Sequence, residues 1–346
     1  MGRLSKFILI FLILIIVIVF VFSLATKKVT NINKNNQTAQ TVKTEDLSKV
    51  ASSATRRGGG RTTLFFVGDM MLTRGVKMSV DKNFGGNYSK LFENLEKLKD
   101  ADILFANLEG DVSDKGTNVG SKYSFRMDPI VLPAILDAGF DIVSFANNHI
   151  GDWSMTAFKD SLNRLDTIGI LKTGAGINKE DASNPTIIEK NNIKFGFIGF
   201  SDVGPVWMKA TETNAGILLA SDPLFGNIIK NAKEKCDVLI VSIHWGEEYK
   251  TVHNKRQEEL AYSAIDNGAD MVIGHHPHVI QDIDEYKDKP IVYSLGNFIF
   301  DQYFSENTMK GMLFSATFED KILKETETKI IKLNKQYQPE GIFEKE

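Results

Sequence analysis

The 346-residue chain holds six histidines, and five of them, His149, His244, His275, His276 and His278, stand just past short apolar runs. Acids and amides recur at the same kind of position. Asp69 follows Leu64–Val67, Asn107 and Glu109 follow Ile103–Ala106, and Asn147, Asn148 and Asp152 surround His149. Glu247 follows His244, and Asn297 and Asp301 follow Ile291–Leu295. A single histidine after a strand is ordinarily structural or incidental. Five of six in such places point instead to a cation site. Imidazole, carboxylate and amide oxygen together suit a borderline divalent ion such as Zn, Mn or Fe better than calcium. His276 and His278 are two apart. On an extended segment they point the same way, stiffened by Pro277, whereas a bent loop splays them toward two ions. The single Cys236 excludes an internal disulfide and a cysteine-based zinc site.

The elements that must carry these residues read as alternating strands and helices. Apolar runs at Leu64–Val67, Ile103–Ala106, Ile142–Phe145, Phe195–Gly199, Val238–Ile243, Met271–Ile273 and Ile291–Leu295 predict strands. Tyr88–Leu98, Met155–Leu165, Leu224–Lys235 and Lys255–Asn267 have helical spacing. Toward the end, Val279–Tyr286 with Ile291–Leu295, and Met312–Phe318 with Ile322–Leu333, read as antiparallel hairpins. The expectation is a mixed α/β fold of two packed sheets with helices outside. In such sheets the carboxyl ends of strands line one crevice, where the polar residues would converge.

The N-terminus gives a second expectation. Residues 7–25 lack charge and are almost wholly Ile, Leu, Val and Phe, long enough at about 1.5 Å per residue to span a bilayer. Arg3 and Lys6 precede the run, which places residues 1–6 in the cytoplasm and the rest outside. Ser23-Leu24-Ala25 offers the alternative of a cleaved signal peptide, but the run exceeds a signal core. The expected organisation is a cytoplasmic start at 1–6, a transmembrane anchor at 7–25 and a flexible polar stalk at 26–60. A folded domain at 61–334 and a loose tail at 335–346 complete it. The localisation that follows is a single-pass cell-membrane protein with its C-terminal domain extracellular. With 41 basic and 44 acidic residues the chain has no basic excess to indicate nucleic acid.

Gly68-Asp69, Asn107-Leu108-Glu109, Asn147-Asn148-His149, His244-Trp245-Gly246 and Gly274-His275-His276-Pro277-His278 form an ordered set, joined by Tyr293 to Phe298. From about Thr62 to Gln302 this resembles the CapA-type poly-γ-glutamate capsule biosynthesis family, a branch of the calcineurin-like metallophosphoesterases. The resemblance implies a four-layer α/β/β/α sandwich with an N-terminal transmembrane helix and one or two divalent metal ions. It implies Asp69 on one metal, Glu109 or Asn107 at the bridging position, Asn148, His244 and His276 on the second metal, and His278 returning to the first. His149 becomes the acid near the leaving group. The superfamily's Asp-X-His reads Asp69-Met70-Met71 here, so the first position lacks an imidazole, and the second motif ends in Glu.

Around these residues, Asp152 is placed to orient His149. Arg74 and Arg126 can bind an anionic substrate or make surface ion pairs. Trp245 is a core or crevice-wall residue that can face ligand, and Asn297 either closes the site or caps a turn. Gly174-Ala175-Gly176 is a turn, because the full nucleotide fingerprint and its lysine are missing. No phosphate-cradling loop with lysine is present, so ATP is not the expected substrate.

The functional expectation is a membrane-anchored, extracellular metal-dependent hydrolase-like protein of anionic capsule synthesis or export. It would cleave a phosphoester or a γ-glutamyl amide bond and work with an anionic polymer and other membrane subunits of a capsule synthase. The competing expectations are a non-catalytic polymer-binding or scaffold subunit and a secreted phosphodiesterase unrelated to capsule.

Overall fold

The computed structural model describes residues 60–344. An eight-stranded mixed sheet runs in the order Pro339–Glu344, Ile322–Leu333, Lys310–Glu319, Arg61–Met70, Ile103–Leu108, Ile142–Ser144, Leu171–Thr173. The short strand Asn297–Ile299 pairs parallel with the end of Arg61–Met70. A six-stranded sheet runs Ile283–Tyr286, Lys289–Val292, Met271–His275, Val238–His244, Ile193–Ser201, Thr186–Lys190.

The strands are apolar on both faces, and the two-residue period sorts their side chains into layers. Leu64, Phe66, Ile103 and Phe105 of the first sheet meet Phe195, Phe197, Val238, Ile240, Met271 and Ile273 of the second in one buried cluster. Phe105 stacks on Phe197 with ring centroids 5.8 Å apart, which joins the sheets face to face. The alternate residues Val67, Leu104, Ala106 and Val143 point outward to a second cluster that includes Val131, Ile135, Phe158 and Leu165 from two helices. Leu239, Val241 and Val272 do the same on the other side against Ile228, Ile229, Leu260 and Ala264. Helix, sheet, sheet and helix therefore stack as four layers.

The helices follow their sequence cues. Ser154–Ile168 buries Ala157, Phe158, Leu162 and Leu165 and ends at Gly169 with φ 88°, the left-handed stop that glycine takes without a Cβ penalty. Lys255–Asp266 opens with a reciprocal cap, Asn254 accepting from the Gln257 amide and Gln257 from the Asn254 amide, each at 3.0 Å. Both expected hairpins form, as Ile283–Tyr286 with Lys289–Val292 and as Lys310–Glu319 with Ile322–Leu333.

Three expectations are corrected. Tyr88–Leu98 is not an α-helix but two 3-10 turns, Tyr88–Leu91 and Glu96–Asp100. Its buried residues pair three apart, Tyr88 with Leu91 and Leu95 with Leu98, which is the period of the tighter helix. The segment expected to be a loose tail contains the strand Pro339–Glu344, which pairs with Ile322–Leu333 and sets Ile342 opposite Ile331. Finally, among the described residues no helix is long and apolar enough to cross a membrane. The expected transmembrane helix, and the membrane-anchored, single-pass, extracellular placement drawn from it, therefore have no support among the described residues. Residues 1–6 and 7–25, and the stalk up to residue 59, lie outside the described residues.

Candidate metal centre

The polar residues gather where parallel strands end. Arg61–Met70, Ile103–Leu108 and Ile142–Ser144 lie side by side in register, Asp69 opposite Asn107 and Asn107 opposite Ser144. In the second sheet His244 lies opposite His275. Two glycines permit the close approach. A Cβ on Gly68 would stand 1.9 Å from the Gly296 carbonyl oxygen, the same atom that accepts from the Asp69 amide at 2.9 Å. A Cβ on Gly274 would stand 2.1 Å from the Tyr293 carbonyl oxygen. Bare backbone at these two places lets Asp69 and the His275–His278 loop converge.

Two sets of side chains can each hold a divalent ion, Asp69 with Glu109 and His244, and Glu248 with His276 and His278. Within each set the ligand-type atoms lie within 4.8 Å of one another. The sets adjoin, with the His244 and His276 rings 4.7 Å apart and His278 Nε2 at 3.7 Å from Glu109 Oε1. Glu109 Oε1 and His276 Nδ1 are buried atoms with no hydrogen-bond partner. Orphaned lone pairs of this kind are costly in a dry interior unless a cation or water takes them, so the donor set fits the metal that the chemistry implies.

The electrostatics are those of a closely packed acid–imidazole group. Burial alone would raise Asp69, but the His275 and His278 rings, with Nδ1 atoms at 3.4 and 3.3 Å, outweigh it and hold the carboxyl well below its ordinary range. Burial pushes Glu109 well above its ordinary value, with His278 opposing. Burial also works to lower His278, yet the Glu109 and Asp69 carboxylates dominate and lift it to about 9. His276, buried and close to His278, is pushed down to about 3, and His244 is lowered well below its usual value by burial and by His276.

Each expected residue has a definite place. Asn148 Oδ1 lies 2.7 Å from His244 Nε2 at the rim of the first set. Asn107 turns its nitrogen, not its oxygen, to the cluster. The Leu108 carbonyl fixes the Asn147 amide at 2.9 Å, Asn147 then donates to Asn107 Oδ1 at 3.2 Å, and Asn107 Nδ2 donates to Asp69 at 2.8 Å and Glu109 at 3.3 Å. Asn107 thus clamps two carboxylates and is corrected from the ligand it was expected to be, leaving the acidic position to Glu109. His149 donates from Nδ1 to Asp152 at 2.7 Å, stacks on Phe125 at 3.7 Å and turns Nε2 to 3.7 Å from Glu109. Asp152 is fixed in turn by Ser121 Oγ at 2.7 Å and the Phe125 amide at 2.9 Å.

The four residues expected at substrate divide. Arg74 lines a cavity of about 340 Å³ together with Tyr123, Phe125, His149, Glu248, Tyr249 and His278. Its Nε pairs with Asp301 at 3.2 Å and its guanidinium lies over the Phe125 ring at 5.0 Å. Arg126 is elsewhere, stacked 3.5 Å over Trp153 and donating to the Lys115 carbonyl. Trp245 is wholly buried and donates to the Tyr293 carbonyl at 2.8 Å, so it is a core residue. Asn297 is also buried and stands 3.0 Å from His278 Nδ1, orienting that ring rather than facing the cavity. Two larger grooves, of about 550 and 680 Å³, lie near Leu333 and Glu340 and contain no histidine.

Three features escaped the sequence. The His276-Pro277-His278 loop is not extended, since His276 has φ 99° and His278 φ 57°. These left-handed values are rare for such residues and bring both rings to Glu248 in one set. Glu248 itself sits exposed beside Glu247, and nothing in the pair of letters tells which acid stands next to the two histidines. Asp111 is buried, and burial lifts it to about 7 against the opposing backbone amides of Trp153 and Gly151.

A four-layer α/β/β/α fold that gathers acids, amides and imidazoles at strand ends is consistent with a calcineurin-like fold carrying candidate metal sites. The chain belongs to the family described as bacterial capsule synthesis protein PGA_cap, whose model matches residues 63–302. The capsule biosynthesis protein CapA of Bacillus anthracis is 33% identical over 261 residues, covering 71% of this chain and 61% of that protein. The PGA biosynthesis protein CapA of Bacillus subtilis (strain 168) is 32% identical over 241 residues, covering 68% of this chain and 63% of its own length. The match therefore spans less than two thirds of either relative. Among solved structures, a hypothetical protein from Thermus thermophilus shares the fold with a TM-score of 0.50 at 15% identity, covering 78% of this chain and 99% of that one.

Proposed function

We propose that this protein is a metal-dependent hydrolase of capsule biogenesis that cleaves a phosphoester or a γ-glutamyl amide bond of an anionic polymer or its precursor. The observation that carries the reading is the adjacency of two cation-type clusters, the second of which reaches a small cavity through Glu248 and His278 beside the Asp152-bound His149. Asp69, Glu109 and His244, with Asn148 beside them, would hold one ion, and Glu248, His276 and His278 a second. Mn, Zn or Fe suits this donor set. When bound, such an ion supplies Lewis acidity toward an acyl or phosphoryl oxygen and toward water.

The remaining work falls to the chain's own groups. Asp152 fixes the His149 tautomer and balances the imidazolium, so Nε2 can pass a proton to the departing oxygen or nitrogen. Arg74, with only its Nε engaged by Asp301, offers the rest of its guanidinium to an anionic part of the substrate. Capsule biogenesis is the setting named for the two CapA relatives, and it comes to this chain through the shared family.

One observation favours a second reading, a non-catalytic subunit that grips polymer. Met71, at the place of the superfamily's imidazole, is wholly buried against Phe125 and Phe300 and contributes no ligand of that kind. Elemental analysis of the purified full chain, with a panel of phosphoesters and γ-glutamyl peptides assayed in added Mn and Zn, separates the two. The hydrolytic reading expects bound metal, turnover of at least one substrate class, and its loss in His149→Ala. Metal binding with no turnover of any substrate, and polymer output untouched by His149→Ala, favours the gripping subunit.

A further inference from the structure

Tyr249 is built into the cavity in a way that bulk packing does not require. Its φ of 66° is an outlier for an aromatic residue. The strained backbone is pinned by its amide, which donates to the Pro277 carbonyl at 2.8 Å, between His276 and His278. The ring meets Phe304 edge-to-face at 5.0 Å and still leaves Tyr249 41% exposed on the cavity that Arg74, His149 and His278 also line.

The direction of its hydroxyl follows from a chain of hydrogen bonds that starts at a backbone atom. The Thr308 carbonyl can only accept, so the group of Asn297 at 2.9 Å from it is the amide nitrogen. The same nitrogen donates to Gln302 Oε1 at 3.1 Å, which fixes the Gln302 amide as well. Gln302 Nε2 therefore donates to Tyr249 Oη at 3.2 Å. With its oxygen accepting from Gln302, the phenol sends its own proton to the cavity side, where the Glu248 carboxylate accepts it in the metal-free protein and would give it up on turning to an ion. The other end of Asn297, Oδ1, accepts from His278 Nδ1 at 3.0 Å and leaves Nε2 of that ring as the atom that can turn to a cation once its proton is lost. One carbonyl thereby sets both a cation-facing imidazole and a cavity-facing hydroxyl.

We propose that Tyr249 is a substrate-contacting residue, delivering its phenolic hydrogen to an anionic oxygen, phosphoryl or carboxylate, of the ligand held beside Arg74. Gln302 and Asn297 are the positioning residues that aim it. The inference rests on the reading of the metal centre and its cavity as the functional site. It adds a neutral donor with a fixed direction to the charge of Arg74.

The test uses manganese-loaded full chain titrated calorimetrically with inorganic phosphate in one arm and glutarate in the other, so that the arm that binds names the kind of oxyanion. Tyr249→Phe keeps the ring and should weaken the anion about tenfold, the scale of one hydrogen bond to a charged group. Gln302→Leu frees the hydroxyl to rotate and should weaken it by a smaller factor. Manganese affinity and melting temperature should be unchanged in both, which a packing role for either residue would not produce. The proposal is overturned if either variant binds the anion as tightly as the unaltered chain, or if the unaltered loaded chain binds neither anion. Anion binding with no turnover of any ester or amide would sink the hydrolytic reading alone and leave the Tyr249 contact standing.

Discussion

Loading the centre with manganese should expel protons, and their number follows from the groups that line it. His278 stands 3.3 Å from Asp69 and 3.7 Å from Glu109, and in the metal-free protein these carboxylates lift it to about 9. At pH 7.5 a group with that pKa is about 97% protonated, so use of the ring as a ligand releases about one proton. His276, at about 3, and His244, well below its usual value, are already neutral and release none. Glu109, raised well above its usual range by burial, adds to the count when the Asp69–Glu109–His244 set is filled. Titration of the full chain with Mn2+ in buffers of different ionisation enthalpy measures the count directly. The expected result is about one proton per ion occupying the Glu248–His276–His278 set between pH 7 and 8, falling by about half near pH 9, and its loss in His278→Asn. Release of less than about 0.3 proton across pH 7–8 would refute a charged His278 between the two acids.

The same shifts fix how metal-free stability runs with pH. The folded pKa of His278 lies above the unfolded 6.5, so its contribution is complete below pH 6.5 and is lost as pH rises through about 9. That limb amounts to at most about 3 kcal/mol. His276 is shifted the other way, so its contribution is present above 6.5 and is lost as pH falls toward about 3. The two histidines together contribute most near pH 6.5, Asp111 and Glu109 pull the optimum toward acid, and bound manganese should flatten the alkaline side.

Three further outcomes are expected. Asp152→Asn can keep its oxygen toward His149 and the Phe125 amide and turn its nitrogen to Ser121, so it removes charge but not geometry. Turnover should fall by about 10²- to 10³-fold with KM and metal content nearly unchanged, read from steady-state kinetics on any substrate that the panel yields; unaltered kcat would remove His149 from the chemistry. Asp111 has its folded pKa raised to about 7 from 3.8, so it withdraws stability as pH rises between those values. Asp111→Asn should therefore stabilise the chain by about 1–4 kcal/mol at pH 8 and by little at pH 4, compared by denaturant melts at the two pH values. Gly68→Ala forces a methyl against the Gly296 carbonyl oxygen and should cost about 3 kcal/mol or more while weakening manganese, measured by thermal melts and titration.

Much of the architecture was legible because buried strands spell themselves as uninterrupted apolar runs. Leu64–Val67, Ile103–Ala106, Val238–Ile243 and Met271–Ile273 each lie within an observed strand, and the polar letters after them mark the rim they reach. Spacing also carried the Ser154–Ile168 and Lys255–Asp266 helices. It failed at Tyr88–Leu98, where intervals of three and four mix and the shorter period wins. The tail was misread because the apolar cue of Ile342 and Phe343 is only two letters long, and the pairing partner that makes them a strand is distant in sequence.

Side-chain direction was the part that letters could not carry. Asn107 stands where a ligand belongs, yet a backbone carbonyl two hydrogen bonds away turns its nitrogen inward and makes it a clamp. Arg126 and Arg74 look alike on the page, and only the fold sends one over Trp153 and the other to the cavity wall. Met71 too has one meaning in the chain and another in the fold. Read along the chain, it is a lost imidazole and a depleted site. In space, the left-handed turns at His276 and His278 bring both rings to Glu248, so a three-donor set is complete without residue 71. What the first strand gives up, the loop after His244 supplies, and the buried Met71 becomes packing behind Phe125, the ring on which His149 lies.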